Sequence, residues 1–195
     1  MTEPSHKDDR EHLVGRVMCS WNAHQETGAT IVRRAAGPRI WDAQGREYLD
    51  WNMGWCSLVL GHTPEAIRAG VAQAFEDGFG FPYETDAAAR FTRLVCELAR
   101  MDQVRLCNSG MEATQHAIRL ARRATGRWTV VKFGGHFHGL HDGLLYGVDA
   151  GRPPGAHLPD GTIEPVQGSA GIPDSLSNLV RVIPFNDVEA LHRVF

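Results

Sequence analysis

The sequence predicts an α/β fold in which a small β-hairpin precedes helices alternating with strands. Three patterns carry that expectation. Arg39-Ile-Trp41 and Glu47-Tyr-Leu-Asp-Trp51 are strand-like runs bracketing Asp42-Ala-Gln-Gly45, whose glycine can take positive φ. Two later segments repeat apolar residues three and four apart, the period of a helix with one buried face. Between Gln103 and Phe133 an apolar run, a helical segment and a second apolar run follow one another, an order that implies a right-handed parallel βαβ unit. Residues 1–60 are therefore read as an N-terminal segment with the hairpin, and 61–195 as the first part of a larger domain.

In chain order, residues 1–12 offer little to bury and are expected to dock loosely, while Leu13 to Trp21 start a short helix. Asn52 to His62 is an irregular connector. Thr63-Pro64 reads as an N-cap and first helical residue, opening a helix whose stripe is Ile67, Val71, Ala74 and Phe75 and which ends near Gly78. Phe81-Pro-Tyr83 is a turn. The next helix carries Phe91, Leu94, Val95 and Leu98 on one side. Gln103 to Cys107 is expected as a strand, and Met111 to Thr125 as a helix that buries Ala113, Ala117, Leu120, Ala121 and Ala124 and stops at Gly126. Trp128 to Phe133 is a strand, Leu140 to Ser177 a long loop, Asn178 to Ile183 a strand, and Asp187 caps a final helix.

The junction Asn108-Ser109-Gly110-Met111-Glu112-Ala113 is where chemistry is expected. An apolar run stops there and a helix starts, and the first N–H groups of a helix lack partners while its dipole adds about half a positive charge. Such an end holds an anion without a cationic side chain, and Gly110 lets a ligand approach the backbone. Ser109 alone is equally an ordinary N-cap. About twenty residues on, Gly134-Gly135-His136-Phe137-His138-Gly139 forms a glycine-rich turn with an aromatic and two histidines.

Together these motifs resemble the class III aminotransferases, a pyridoxal 5'-phosphate (PLP) family, with the glutamate-1-semialdehyde aminomutase branch similar in pattern and the amine–pyruvate type transaminases a second reading. The likeness extends over Arg39 to Asp50, Leu60-Gly61-His62, Ala117-Ile-Arg-Leu-Ala-Arg122 and Ile183-Pro-Phe-Asn-Asp187. It implies fold type I, with a three-layer α/β/α large domain here incomplete. It also implies that Ser109, Gly110 and Met111 hold the cofactor phosphate, that Phe137 stacks on its ring, that His138 supports the loop, and that Trp55 borders the substrate. Met111 stands where the family usually has Thr, and Phe137 where many relatives have Tyr, so a hydroxyl is lost at each place. The family's Schiff-base lysine and its aspartate for the pyridine nitrogen match no residue of this sequence. The chain is thus expected to be an N-terminal portion that does not transaminate by itself, of a parent that is a homodimer acting on an amino donor and a carbonyl acceptor.

Only Lys7 and Lys132 are lysines, and Lys132 is read as an ordinary surface residue. Twenty Lys and Arg against 23 Asp and Glu give a formal charge of −3, which argues against nucleic acid or an anionic membrane as the partner. Cys19, Cys56, Cys96 and Cys107 have no Cys-x-x-Cys spacing, so no disulfide framework or zinc site is indicated, and a cytoplasmic location is expected. A metal reading of His136, His138, His141 and Asp142 is the weaker alternative, and a non-catalytic dimerising remnant of the fold another.

Overall fold

The computed structural model describes residues 12–13, 31–148 and 155–195. The expected helix from Leu13 to Trp21 lies almost wholly outside them. The chain divides into two compact units, Met1–Tyr83 and Glu84–Phe195.

The first unit is built on a three-stranded antiparallel sheet, β1 (Val32–Ala36), β2 (Arg39–Asp42) and β3 (Glu47–Leu49), in that order. The hairpin read from the sequence is β2–β3, with Ile40 opposite Tyr48, and β1 adds a strand that its basic composition concealed. Asp42 fixes the turn. Its carboxylate accepts the N–H groups of Gln44 and Arg46, the Arg46 guanidinium at 2.7 Å and the Tyr48 hydroxyl at 2.9 Å. Burial acts to raise its pKa, but those bonds outweigh it and hold the carboxyl down at about 2. Asp50 works similarly one step on. It accepts the N–H groups of Asn52 and Met53 and contacts His62 Nε2 at 2.7 Å.

Between Asp50 and His62 the backbone makes a left-handed turn, with φ of 48° at Met53, 61° at Gly54, 58° at Trp55 and 65° at Cys56. Helix α1 follows at Glu65–Asp77. Its start differs from the expectation by one residue: Pro64 is the N-cap, and Thr63, at φ 50°, turns its hydroxyl to the Ala35 carbonyl instead of the helix.

In the second unit, α2 (Asp86–Ala99) is capped by Thr85 and α3 (Gly110–Thr125) by Ser109. Strands β4 (Val130–Phe133) and β5 (Val180–Ile183) pair in parallel, Lys132 opposite Val182, and α4 (Val188–Val194) is capped by Asp187. Residues 103–107 form no strand, contrary to expectation. An apolar run becomes a strand only when a neighbour takes its backbone bonds, and none does so among the described residues. The parallel pair is therefore β4–β5.

The stretch 140–177, expected as an irregular loop, instead supplies much of the core. Leu145, Tyr146 and Ile172 pack with Val180 and Val182, and Ile163 bridges to Val182. Its Gly and Pro content hid three short apolar anchors. The face of α3 expected to be buried is not: Ala113, Ala117, Leu120 and Ala121 are exposed, and the half-buried positions are Glu112, Thr114, His116, Ile118 and Arg122. The stripes of α1 and α2 are likewise largely exposed, Phe75 and Leu98 included, with Val95 half-buried.

Candidate functional site

The N-terminus of α3 carries a capping box. Ser109 Oγ accepts the Glu112 N–H at 3.2 Å, and the Glu112 carboxylate reaches back to the N–H groups of Asn108 and Ser109 at 2.6 and 3.0 Å. Two of the helix's first donors are left. The N–H groups of Gly110 and Met111 have no partner among the described residues. Ser109 accepts through its oxygen, so its own proton remains to be donated. A Cβ built on Gly110 would meet nothing within 4 Å, so the helix start is uncrowded on that side. Three donors at the positive end of a 16-residue helix suit the phosphate of PLP.

The Phe137 loop lies directly against this helix end. A Cβ on Gly139 would come within 2.8 Å of Met111 Cβ, so only glycine allows the approach. Thr114 Oγ1 shares its proton between the carbonyls of Met111 and His138, each at 3.0 Å. The Phe137 ring is 60% exposed, and so free to meet a flat ligand. His136 turns the other way, its ring 4.9 Å from Phe185 and 5.5 Å from Phe133. Burial, then the charges of Lys132, His136 and His141, push the His138 pKa down, which favours a neutral imidazole.

Lys132 is not the surface residue expected from the sequence. It is 4% exposed, and its ammonium donates to the carbonyl of His136 at 3.0 Å and to that of Tyr146. Burial lowers its pKa to about 8. No carboxylate pairs with it among the described residues. A lysine interrupting an otherwise apolar strand was the signal for this role, and Thr114 gave no comparable one.

Trp55 lies in the first unit, 62% exposed on the left-handed turn. His136, His138, His141 and Asp142 do not gather into a metal centre: no group of three or more His, Cys, Asp or Glu that could hold an ion occurs among the described residues. His141 Nε2 and the Tyr146 hydroxyl are buried without hydrogen-bond partners there. No helix among the described residues is long and apolar enough to cross a membrane.

The class III aminotransferase family matches residues 21–150. The chain is 37% identical over 163 residues to a glutamate-1-semialdehyde 2,1-aminomutase from Aquifex aeolicus, covering 83% of this chain and 36% of that protein. It is 38% identical over 200 residues to the enzyme of that name from Thermus thermophilus, covering 100% of this chain and 44% of that one. Among solved structures it is similar to an omega-transaminase from Sphaerobacter thermophilus, with a TM-score of 0.84 and 30% identity over 95% of this chain and 42% of the other. The chain thus spans about two fifths of the length of these relatives.

Proposed function

The chain belongs to the class III aminotransferases, a PLP-dependent family, and on that premise we propose that it forms the phosphate cradle and ring platform of an enzyme that moves amino groups in the manner of glutamate-1-semialdehyde aminomutase. One observation carries this reading: the N–H groups of Gly110 and Met111, without partners among the described residues, begin the helix against which the loop of the exposed Phe137 packs, with Gly139 seated on Met111. Ser109 Oγ and those two N–H groups hold the phosphate, and Phe137 lies against the ring. His138 contributes its backbone carbonyl to the loop's attachment, in keeping with a supporting role.

When bound, PLP supplies the electron sink for bonds at the amino carbon. The chain's own part is to bind and orient. Met111 offers a backbone donor where a hydroxyl would add one more, so phosphate affinity is modestly lower than with Thr. Lys132 takes no covalent part, because its nitrogen is buried and turned to two carbonyls. Trp55, exposed on its turn, borders the substrate, an amino donor followed by a carbonyl acceptor. The working protein is a homodimer in the cytoplasm. An amine–pyruvate type transaminase is the second reading, favoured by the likeness to the omega-transaminase structure.

The test is to titrate the chain with PLP, reduce with borohydride and map the peptides. Weak, reversible binding that inorganic phosphate competes away and that S109A weakens is expected, with no stoichiometric adduct at Lys132 and no half-reaction with an amino acid. Binding indifferent to phosphate would overturn the cradle. For the whole enzyme, a panel of amino donors separates the two readings, and turnover of a decarboxylation substrate alone would sink both.

A further inference from the structure

The two carbonyls that flank Phe137 are each held by a side chain from a different element. Lys132 of β4 bonds the carbonyl of His136, and Thr114 of α3 bonds that of His138. We propose that Lys132 and Thr114 are positioning residues which set the plane and reach of the Phe137 ring over the N-terminus of α3. The proposal rests on the cofactor reading above.

The loop needs such anchors. Gly135 at φ 78° and Gly139 at φ 101° stand on either side of Phe137, and glycine gives a chain its widest backbone freedom. Among the described residues backbone bonds hold only its entry, through Gly134 to Ile183, Gly135 to Gly147 and His136 to Phe133. From Phe137 to Leu140 the described residues show no backbone bond, and the loop is held by the two side-chain bonds and the contact of Gly139 with Met111.

The burial of Lys132 is otherwise hard to account for. It occupies a ladder position opposite Val182, where an apolar side chain would pack without removing an ammonium from water. That ammonium instead donates to the carbonyls of His136 and Tyr146, which lie on the two sides of the 137–145 segment. One side chain thereby closes both ends of the excursion that carries Phe137. Thr114, one turn into the phosphate-binding helix, ties the same excursion to the cradle, so that ring and phosphate keep a fixed separation.

Three chains decide the matter: wild type, T114V, which removes the hydroxyl at constant shape, and K132M. Amide hydrogen exchange without any ligand is expected to quicken in residues 135–140 by about two- to tenfold in either variant, the equivalent of one net hydrogen bond. Exchange in β1–β3 should not change. With PLP added, the induced circular dichroism of the bound ring should fall in both variants, while the affinity for inorganic phosphate stays at the wild-type value. If K132M fails to fold, T114V carries the test alone. Unchanged exchange, or faster exchange with an undiminished ring signal, overturns the proposal. If wild type gives no PLP signal at all, the cofactor reading fails, and exchange still decides whether these two side chains hold the loop.

Discussion

Asp42 in the hairpin turn and Lys132 in β4 are the two charged side chains that the described residues bury, at 3% and 4% exposure, and the fold houses them in opposite ways. Asp42 is met by four donors, one of them the Arg46 guanidinium, and its carboxyl is held at about 2. Lys132 is met by two carbonyl dipoles and no counter-ion among the described residues, and its pKa falls to about 8. A buried charge supplied with a countercharge organises a turn and keeps that charge across the accessible pH range. One supplied with dipoles alone organises a loop but sits close to losing its proton.

The sharpest way to break this comparison is D42A. Two N–H groups, a hydroxyl and a guanidinium lose their common acceptor, so protection of the amides of β2 and β3 should fall by about tenfold or more in hydrogen exchange. Retention of that protection would show that strand pairing alone sets the hairpin.

The pH dependence comes next in size, and through both groups stability rises with pH, in two separate windows. Lys132 has a folded pKa below its ordinary 10.5, so between about 8 and 10.5 the unfolded chain binds a proton that the folded chain does not. Stability therefore rises with pH through that window, by on the order of 3 kcal/mol from this group. The phenols of Tyr48 and Tyr146, raised above 10.0, act the other way at the upper end. The quantity to measure is thus the difference between wild type and K132M in urea unfolding, and a difference flat in pH would refute the assignment. Asp42 gives the acid arm. Its stabilisation is complete above 3.8 and is lost as pH falls toward 2.

Smaller effects sharpen the contrast. Ser109→Ala removes the N-cap bond of α3 and should cost about 1 kcal/mol in thermal unfolding. Glu65→Ala breaks an ion pair with Arg68 that is open to solvent, and a change beyond about 0.5 kcal/mol would be unexpected.

Where a local signal decides the conformation, the sequence was a sound guide. Asp42-Ala-Gln-Gly45 turns the hairpin, Ser109 with Glu112 starts α3, and Asp187 starts α4. Where a distant neighbour decides, it was not. Residues 103–107 have strand composition without a strand partner, Ala117 and Leu120 have core composition without a cover, and Leu144 to Tyr146 lie in the core inside a stretch rich in glycine and proline. Of the candidate site, the Ser109 cradle and the Phe137 loop could be read as motifs. Of the bonds that hold the loop, that of Lys132 left a trace, a charge inside an apolar strand, whereas that of Thr114 left none, because it acts on a backbone carbonyl, which every residue possesses and no motif records.

The left-handed turn at Met53–Cys56 changes what counts as a conservative replacement. Alanine is the usual neutral choice for scanning a chain, yet at positions 53, 55 and 56 it keeps the Cβ that makes positive φ unfavourable, by about 1–2 kcal/mol per residue. Glycine is the mild substitution there. A mutational library across the Trp55 segment would therefore show an inverted ranking, with Met53→Gly and Cys56→Gly tolerated or stabilising and Gly54→Ala damaging. The loss of the indole itself is then isolated by Trp55→Ala, which keeps the Cβ and with it the backbone cost that the tryptophan already bears.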